Sequence, residues 1–254
     1  MITLLSPAKT LDFETPERVT DLSIPQFALY SNRLIRILKK KSADEIKDLM
    51  HISDALAKLN KTRFKTFSKE YTDENSKSAI TAFKGDVYLG LDVPTLELSD
   101  LEFANDHIRI LSGLYGMLNP FDRMQPYRLE MGTRLENKNG TNLYHFWGDL
   151  ISKALNKELK AQGSDIILNL ASNEYFKAVD KKKLKAKVVN VDFTEEKDGE
   201  LKFVSFFAKK ARGLMARYLV KNRIDDIESI KGFDYENYRF VEELSTEDNL
   251  LFVR

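Results

Sequence analysis

The sequence predicts a mixed α/β (α+β) fold, with helices flanking a mixed central sheet, in one domain of residues 1–254. Apolar runs with the length of buried strands, such as Ile2–Leu5 and Asp165–Ala171, alternate with amphipathic helical segments. No internal repeat, low-complexity stretch or Pro/Gly/Ser-rich linker divides the chain. With 43% hydrophobic and 31% charged residues, the composition is that of a globular protein that buries a core.

The amino-acid composition also limits the chemistry of this protein. The chain has no cysteine, which excludes thiolate catalysis, a thiol peroxidase mechanism and iron–sulfur clusters. Its three histidines, His51, His107 and His145, are not at metal-ligand spacing, so we predict no metal site and no cofactor. No apolar run approaches the length of a membrane span, and the N-terminus lacks the pattern of a signal peptide. We therefore expect a cytoplasmic protein with no membrane partner. We also expect it to be a monomer.

The first predicted strand, Ile2–Leu5, leads directly into the polar residues Ser6, Lys9 and Thr10. A Lys-Thr pair after a strand resembles the phosphate-binding P-loop, but the glycines that let backbone amides surround a phosphate are absent. Because these residues follow a strand end, we predict that they line a cleft and contact an anion there. The alternative is a solvated loop lysine.

A pair of helices is predicted in residues 42–65, after an amphipathic helix from Pro25 to about Lys39. The first helix of the pair begins with a capping box formed by Ser42 and Glu45. The turn that joins the pair has apolar residues at the spacing found in a helix-hairpin-helix. This module holds DNA phosphates with backbone amides at a helix N-terminus.

The DNA-contacting positions of that module fall on His51 and Ser53, where it normally has two glycines. Lys58, Lys61 and Arg63 follow and make this flank positive. We predict that the segment is a helix-hairpin-helix-like element that contacts DNA through these five residues. A plain pair of packed helices is the alternative.

A further helix is predicted from about Thr72 to Phe83, with a strand beyond Gly85 that places Asp86 and Tyr88 on one face. Lys84 lies at the turn before this strand. We predict that Lys84, Asp86 and Tyr88 line the same cleft as the N-terminal residues. Ser99 with Glu102 then forms a second capping box, and its helix leads into a strand around residues 108–111.

The segment Ile110–Gly132 is predicted to be a strand end that feeds a long loop, because glycines and prolines interrupt it repeatedly. The loop is rich in aromatic and ionisable side chains, as binding loops held by a scaffold commonly are. Its candidate cleft residues are Ser112, Tyr115, Tyr127, Arg128 and Glu130. The alternative is a crossover that packs against its own side chains.

The C-terminal half predicts a helix after Thr141, with Trp147 in the core, and then the near-continuous apolar strand Asp165–Ala171. Ser172 and Lys177 follow that strand. Polar groups at the carboxyl edge of a sheet commonly line a cleft. We predict Ser172 in the cleft and Lys177 on the DNA-binding surface.

A hairpin is predicted from a strand over residues 188–193, a turn at Asp198-Gly199 and a second strand over Leu201–Phe207. The second strand runs into a basic helix start, where Lys209, Lys210 and Arg212 are the predicted phosphate-binding residues. The alternative is a solvated basic face. A closing hairpin is predicted over residues 235–244 and 250–253.

Several of these stretches together resemble one family, the YaaA peroxide stress proteins of bacteria. The resemblance is carried, in chain order, by Ser6-Pro7-Ala8-Lys9-Thr10-Leu11, Ala82-Phe83-Lys84-Gly85-Asp86-Val87-Tyr88, Leu111-Ser112-Gly113-Leu114-Tyr115-Gly116, Gln125-Pro126-Tyr127-Arg128-Leu129-Glu130-Met131-Gly132, Phe146-Trp147-Gly148, Asn169-Leu170-Ala171-Ser172, Glu174-Tyr175-Phe176 and Ala208-Lys209-Lys210-Ala211-Arg212-Gly213. It implies a cytosolic protein that limits damage when hydrogen peroxide meets intracellular iron. It also implies a mixed α/β fold particular to the family, and DNA binding through a positive cleft and a helix-hairpin-helix-like element.

Two functions follow as hypotheses. The first is a DNA-binding protein without sequence preference, for single or double strands, whose cations neutralise phosphates while the tyrosines of the central loop and Arg128 stack on bases. The second is an enzyme acting on a nucleobase, nucleotide or DNA lesion, with Lys9, Lys84, Asp86 and Glu130 as its catalytic residues. Structural ion pairs, such as Lys84 with Asp86, would produce the same sequence pattern.

Overall fold

The computed structural model describes all 254 residues of the chain. Its strands are β1 (Ile2–Leu5), β2 (Thr10–Leu11), β3 (Lys77–Ser78), β4 (Phe83–Lys84), β5 (Ile108–Ser112), β6 (Gly116–Leu118), β7 (Arg123–Met124), β8 (Ile166–Asn169), β9 (Lys187–Lys197), β10 (Glu200–Lys202), β11 (Arg239–Phe240) and β12 (Asn249–Val253). Its α-helices are α1 (Ala28–Leu38), α2 (Ala43–Met50), α3 (Asp54–Thr66), α4 (Ala79–Ala82), α5 (Asp86–Leu91), α6 (Leu98–His107), α7 (Leu143–Trp147), α8 (Leu150–Gln162), α9 (Asn173–Phe176), α10 (Ser205–Asn222) and α11 (Ile227–Ile230).

The main sheet has eight strands in the order β11-β12-β9-β8-β1-β5-β6, with β10 paired to β9. The five inner strands, β12 to β5, run parallel, whereas β11 and β6 are antiparallel at the edges. Strand β1 is buried along its whole length, as expected for an inner strand that is covered on both faces. The predicted mixed α/β fold is confirmed, and one hydrophobic core of 66 buried residues fills it. No helix of the chain has both the length and the apolar character needed to cross a bilayer.

The helix pair α2 and α3 forms as its local sequence predicts. Ser42 accepts a hydrogen bond from the Glu45 backbone N–H, and the Glu45 carboxylate accepts one from the Ser42 N–H, which completes the predicted capping box. His51 ends α2 in the left-handed region at φ 52°, and the Ser53 hydroxyl caps α3. The helices and their short turn are therefore present, while their use as a helix-hairpin-helix stays a prediction.

Three predicted elements are wrong. The helix expected from Thr72 to Phe83 is replaced by β3 and the short α4, because β3 pairs with the distant β7. The strand expected after Gly85 is the helix α5. The strand expected over Leu201–Phe207 ends at Lys202, and α10 begins at Ser205.

Three further features differ from the prediction. The helix expected after Thr141 is two helices, α7 and α8, because the chain breaks at Gly148 with φ 49°. Helix α6 begins after Glu97, which forms a capping box with Asp100 in place of the expected Ser99 and Glu102. The long loop expected after β5 contains the antiparallel strand β6, which Gly116 makes possible by turning the chain at φ 70°.

Helices α5 and α10 lie unusually close together, and glycine permits this contact. A Cβ atom added to Gly213 would lie 1.8 Å from the carbonyl oxygen of Val87, and one added to Gly90 would lie 2.2 Å from that of Lys210. The two backbones therefore touch directly. This contact places the middle of α10, around Lys210 and Gly213, against α5.

Candidate functional site

A cleft of about 560 Å³ opens at the carboxyl ends of β1 and β8. These strands are adjacent and parallel, so the residues that follow them share one edge of the sheet, where α/β proteins commonly bind ligands. The volume is typical of a small-molecule site. The cleft is lined by Ser6, Pro7, Ala8, Lys9, Thr10, Lys84, Gly85, Asp86, Val87, Tyr88, Glu130, Ser172, Asn173, Glu174, Tyr175, Lys209 and Arg212.

The floor of the cleft joins the two strand ends by hydrogen bonds. The Ser172 backbone N–H donates to the Ser6 hydroxyl oxygen at 2.9 Å. The Tyr88 hydroxyl donates to the Ser6 carbonyl at 3.2 Å, which ties α5 to the same point. Burial raises the pKa of Tyr88, with a smaller contribution from Tyr127, so its phenol keeps the proton that it donates.

Glu130 bridges two cations on one wall. Its carboxylate accepts from Lys9 Nζ at 2.9 Å and from Arg128 Nη2 at 3.0 Å. Arg128 itself is largely buried, and its Nε has no hydrogen-bond partner. Because Lys9 is exposed and Glu130 only partly buried, this arrangement holds the positive end of Lys9 at the mouth of the cleft.

Lys84 and Asp86 both line the cleft but do not pair with each other. Lys84 Nζ lies 3.4 Å from Asp12 Oδ2 instead. Asp86 lies in the first turn of α5, and its carboxylate makes no hydrogen bond or ion pair. Successive helical residues are about 100° apart, so Asp86 and Tyr88 do not share a helix face as they would share a strand face. Both reach the cleft because α5 lies across its wall.

Two cations of α10, Lys209 and Arg212, complete the cleft. They are three residues apart, so they neighbour each other on the helix surface. Lys209 is exposed and has no ion-pair partner. Burial lowers the pKa of Arg212, an effect that Asp192 opposes, and the guanidinium Nε has no hydrogen-bond partner. A partly buried guanidinium with spare donors is suited to an anionic ligand.

Four of the predicted cleft residues do not line the cleft, namely Arg128, which reaches it only through Glu130, and Ser112, Tyr115 and Tyr127, which lie beneath it. Ser112, Tyr115 and Tyr127 are all buried. The hydroxyl oxygens of Ser112 and Tyr127 are 2.6 Å apart, and the Tyr115 hydroxyl accepts from the Gln125 N–H at 2.8 Å. These tyrosines form an internal hydrogen-bonded layer and are not available for stacking on bases.

The predicted DNA-contacting residues are spread over several surfaces, and only Lys209 and Arg212 line the cleft. On the helix pair, His51, Ser53 and Lys58 are exposed. Lys61 Nζ donates to the carbonyls of Lys39 and Lys41, and Arg63 lines a separate polar cavity. Lys177 lies 5.0 Å from the centre of the Tyr144 ring, and Lys210 pairs with Glu236.

The site predictions missed Glu174 and Tyr175, which line the cleft at the start of α9. Glu174 Oε1 accepts from the Gly132 backbone N–H at 2.9 Å, so it fastens the end of the central loop to the cleft. Their position after a strand end, next to Ser172, was a signal in the sequence. Asp12, the partner of Lys84, had no comparable signal.

Comparison with known proteins agrees with the sequence resemblance. A family model described as peroxide stress protein YaaA matches residues 1–244. A UPF0246 protein of Aliivibrio fischeri strain ES114 is 52% identical over 254 residues, which make up 100% of this chain and 98% of the relative. A UPF0246 protein of strain MJ11 has the same identity and coverage. The chain belongs to the YaaA family of peroxide stress proteins, which supports a role in the response to peroxide.

Proposed function

We propose that this protein acts in the peroxide response by binding DNA in the cytosol as a monomer, without sequence preference, and that it limits iron-dependent damage to the bound DNA. The observation that carries the proposal is the convergence of Lys84, Lys209 and Arg212, from separate parts of the chain, on one cleft. Cations grouped in this way neutralise neighbouring phosphates and release counterions. The family's role in the peroxide response fits a protein that shields DNA.

The distribution of charge in the cleft favours phosphate contacts by α10. Of the three acidic residues that line the cleft, Glu130 pairs with Lys9 and Arg128, and Glu174 accepts from Gly132, so only Asp86 has no partner. Lys209 has no such partner. An entering phosphate therefore meets a cation that does not have to give up an existing ion pair.

Replacing Lys209 with glutamine tests this assignment. We expect weaker binding to any DNA sequence and a slope of log affinity against log salt that is smaller by about 1, because one phosphate contact is lost. The measurement is fluorescence anisotropy of a labelled duplex across a salt series. In parallel samples that contain plasmid in place of the duplex, nicking by ferrous iron and peroxide should increase as binding falls.

Lys160→Gln is the matched control. Lys160 is exposed and unpaired at the end of α8, which leads into the amino end of β8 and therefore lies at the edge of the sheet opposite the cleft. This substitution removes the same charge as Lys209→Gln, but it should leave the slope of log affinity against log salt unchanged. Equal effects of the two variants would show that overall charge acts, not the cleft. A parent protein without salt-dependent DNA binding would refute the proposal.

A second candidate function is an enzyme acting on a nucleobase, nucleotide or DNA lesion. The observation in its favour is Asp86, a carboxylate on the cleft wall with no partner, close in sequence to Lys84. An unpaired carboxylate in a cleft can act as a general base. The ion pair of Lys9 with Glu130 makes these two residues weaker candidates for proton transfer, because each is already engaged.

The Asp86→Asn variant separates the two candidate functions. If the cleft is catalytic, the parent protein releases or alters a base or nucleotide, and the variant loses that product while it still binds DNA. Mass spectrometry of the DNA and nucleotides after incubation provides the readout, with Lys160→Gln as the active control. If the parent protein leaves the DNA and the nucleotides unchanged, only the binding function remains supported.

A further inference from the structure

The end of β10, the start of α10 and the residues between them expose an unusual amount of apolar surface. Phe203 is 64% exposed and Phe206 is 53% exposed. We call this surface the apolar rim, and its members are Leu201, Phe203, Phe206 and Phe207. Single exposed apolar residues are normal on protein surfaces, but a group of them in one segment marks an interaction site.

The apolar rim lies directly beside Lys209 and Arg212, the two cations of α10 that line the cleft. Phe206 is in the first turn of α10 and precedes Lys209 by three residues, so their Cβ atoms are about 5–6 Å apart. Lys209 and Arg212 then follow along the helix. Aromatic faces and free cations therefore lie side by side at the mouth of the cleft.

The ring faces of Phe203 and Phe206 are largely unoccupied. Phe203 pairs with no other aromatic ring, and Phe206 makes only an edge contact with Phe207 at 5.5 Å. Phe207 differs, because the Arg254 guanidinium lies 4.5 Å from its ring centre. Phe203 and Phe206 are thus the members of the apolar rim that can stack on a flat ligand.

Three carboxylates of β9 and β10 near the apolar rim pair with cations. Glu195 pairs with Arg254 at 2.7 Å, Glu196 with Arg239 at 3.0 Å and Glu200 with Lys202 at 3.1 Å. A negatively charged ligand would therefore meet little repulsion from these acids. The surroundings of the apolar rim are compatible with a nucleic acid strand.

We propose that Phe203 and Phe206 stack on unpaired bases while Lys209 and Arg212 hold the adjoining phosphates, so that the protein prefers single-stranded to duplex DNA. This inference rests on the proposed DNA-binding function. Every base has a face that an aromatic side chain can cover, whereas a duplex hides those faces within its stack. A second copy of the protein could cover apolar surface, but it would have no need of the neighbouring free cation.

The test compares a labelled oligothymidine with a duplex of equal length, at one salt concentration, by fluorescence anisotropy. For the Phe203→Ala/Phe206→Ala variant we expect about a 10- to 100-fold loss of single-strand affinity and little change in duplex affinity. Phe203→Leu/Phe206→Leu is the matched variant, because it keeps apolar side chains but removes the aromatic faces. It should lose single-strand affinity as well.

The other outcomes are distinguishable. Equal affinity of the parent for both DNA forms, or an alanine variant that binds single strands like the parent, would overturn this inference and leave the proposed function standing. Full single-strand binding by the leucine variant would also overturn it, because stacking would then not be the cause. A parent dimer in sedimentation that the substitutions dissociate without altering DNA affinity would assign the apolar rim to self-association. A parent that binds no DNA refutes the proposed function itself.

Discussion

The Trp147→Ala variant is expected to lose about 3–5 kcal/mol of unfolding free energy, the range typical for deleting a large buried aromatic side chain. Trp147 is fully buried, and its indole Nε1 donates to the Gly113 carbonyl at 3.1 Å. Its ring also lies directly beneath Gly116, where an added Cβ would approach it to 2.7 Å. The side chain therefore holds the central loop against the core, and its removal leaves both a cavity and an unpaired carbonyl.

Trp147→Phe separates these two contributions. Phenylalanine keeps most of the apolar contact but leaves the Gly113 carbonyl without its donor, which costs about 1–3 kcal/mol. The expected order of stability is parent, phenylalanine variant, alanine variant. Chemical denaturation should be followed by circular dichroism, because Trp147 is the only tryptophan of the chain. An alanine variant as stable as the phenylalanine variant would contradict the role assigned to the ring.

Gly213→Ala is expected to destabilise the protein, although alanine is the better helix former by about 0.8–1.0 kcal/mol. The added Cβ would lie 1.8 Å from the Val87 carbonyl oxygen, which belongs to the backbone of α5 and cannot rotate away. Overpacking of this kind costs about 1–3 kcal/mol and sometimes more, so it outweighs the gain in helix propensity. Because α10 must move away from α5, DNA affinity through Lys209 and Arg212 should fall as well.

A double-mutant cycle with Gly90→Ala locates the effect at the helix contact. A Cβ on Gly90 would meet the Lys210 carbonyl at 2.2 Å, so both substitutions separate the same two helices. Once one of them has done so, the second should cost less than it does alone, and the losses should not add. Additive losses, or a Gly213→Ala variant more stable than the parent, would mean that the close contact does not control stability.

The elements that the sequence predicted well are those fixed by neighbours in the chain. The capping box of Ser42 and Glu45 depends on a spacing of three residues, and both of its hydrogen bonds form. Strands β1 and β8 are nearly continuous apolar runs and lie in the interior of the sheet. In each case, the residues of the segment themselves favour the helix start or the buried strand that forms.

The wrong elements are those in which a distant partner decides the local structure. Residues 77–78 lie within a segment predicted to be helical, yet they form β3, which pairs with β7 more than forty residues further along the chain. Lys77 Nζ also donates to the carbonyls of Asp12 and Thr15. The segment after Gly85 has the alternation of a strand, but Gly90 and the backbone of α5 pack onto α10. Tertiary contacts override weak local preferences.

The sequence by itself determined the mixed α/β class, the inner strands, the polar residues at the strand ends and the exclusion of thiol chemistry. Only the tertiary structure decided that Lys84 pairs with Asp12 and that Asp86 has no partner. It also decided that Tyr115 and Tyr127 are buried while Phe203 and Phe206 are exposed. The physical reason is that strand and helix periodicities act over a few residues, whereas a cleft depends on which distant segments pack together. Here the close contact of α5 with α10 brings Lys209 and Arg212 to the carboxyl ends of β1 and β8.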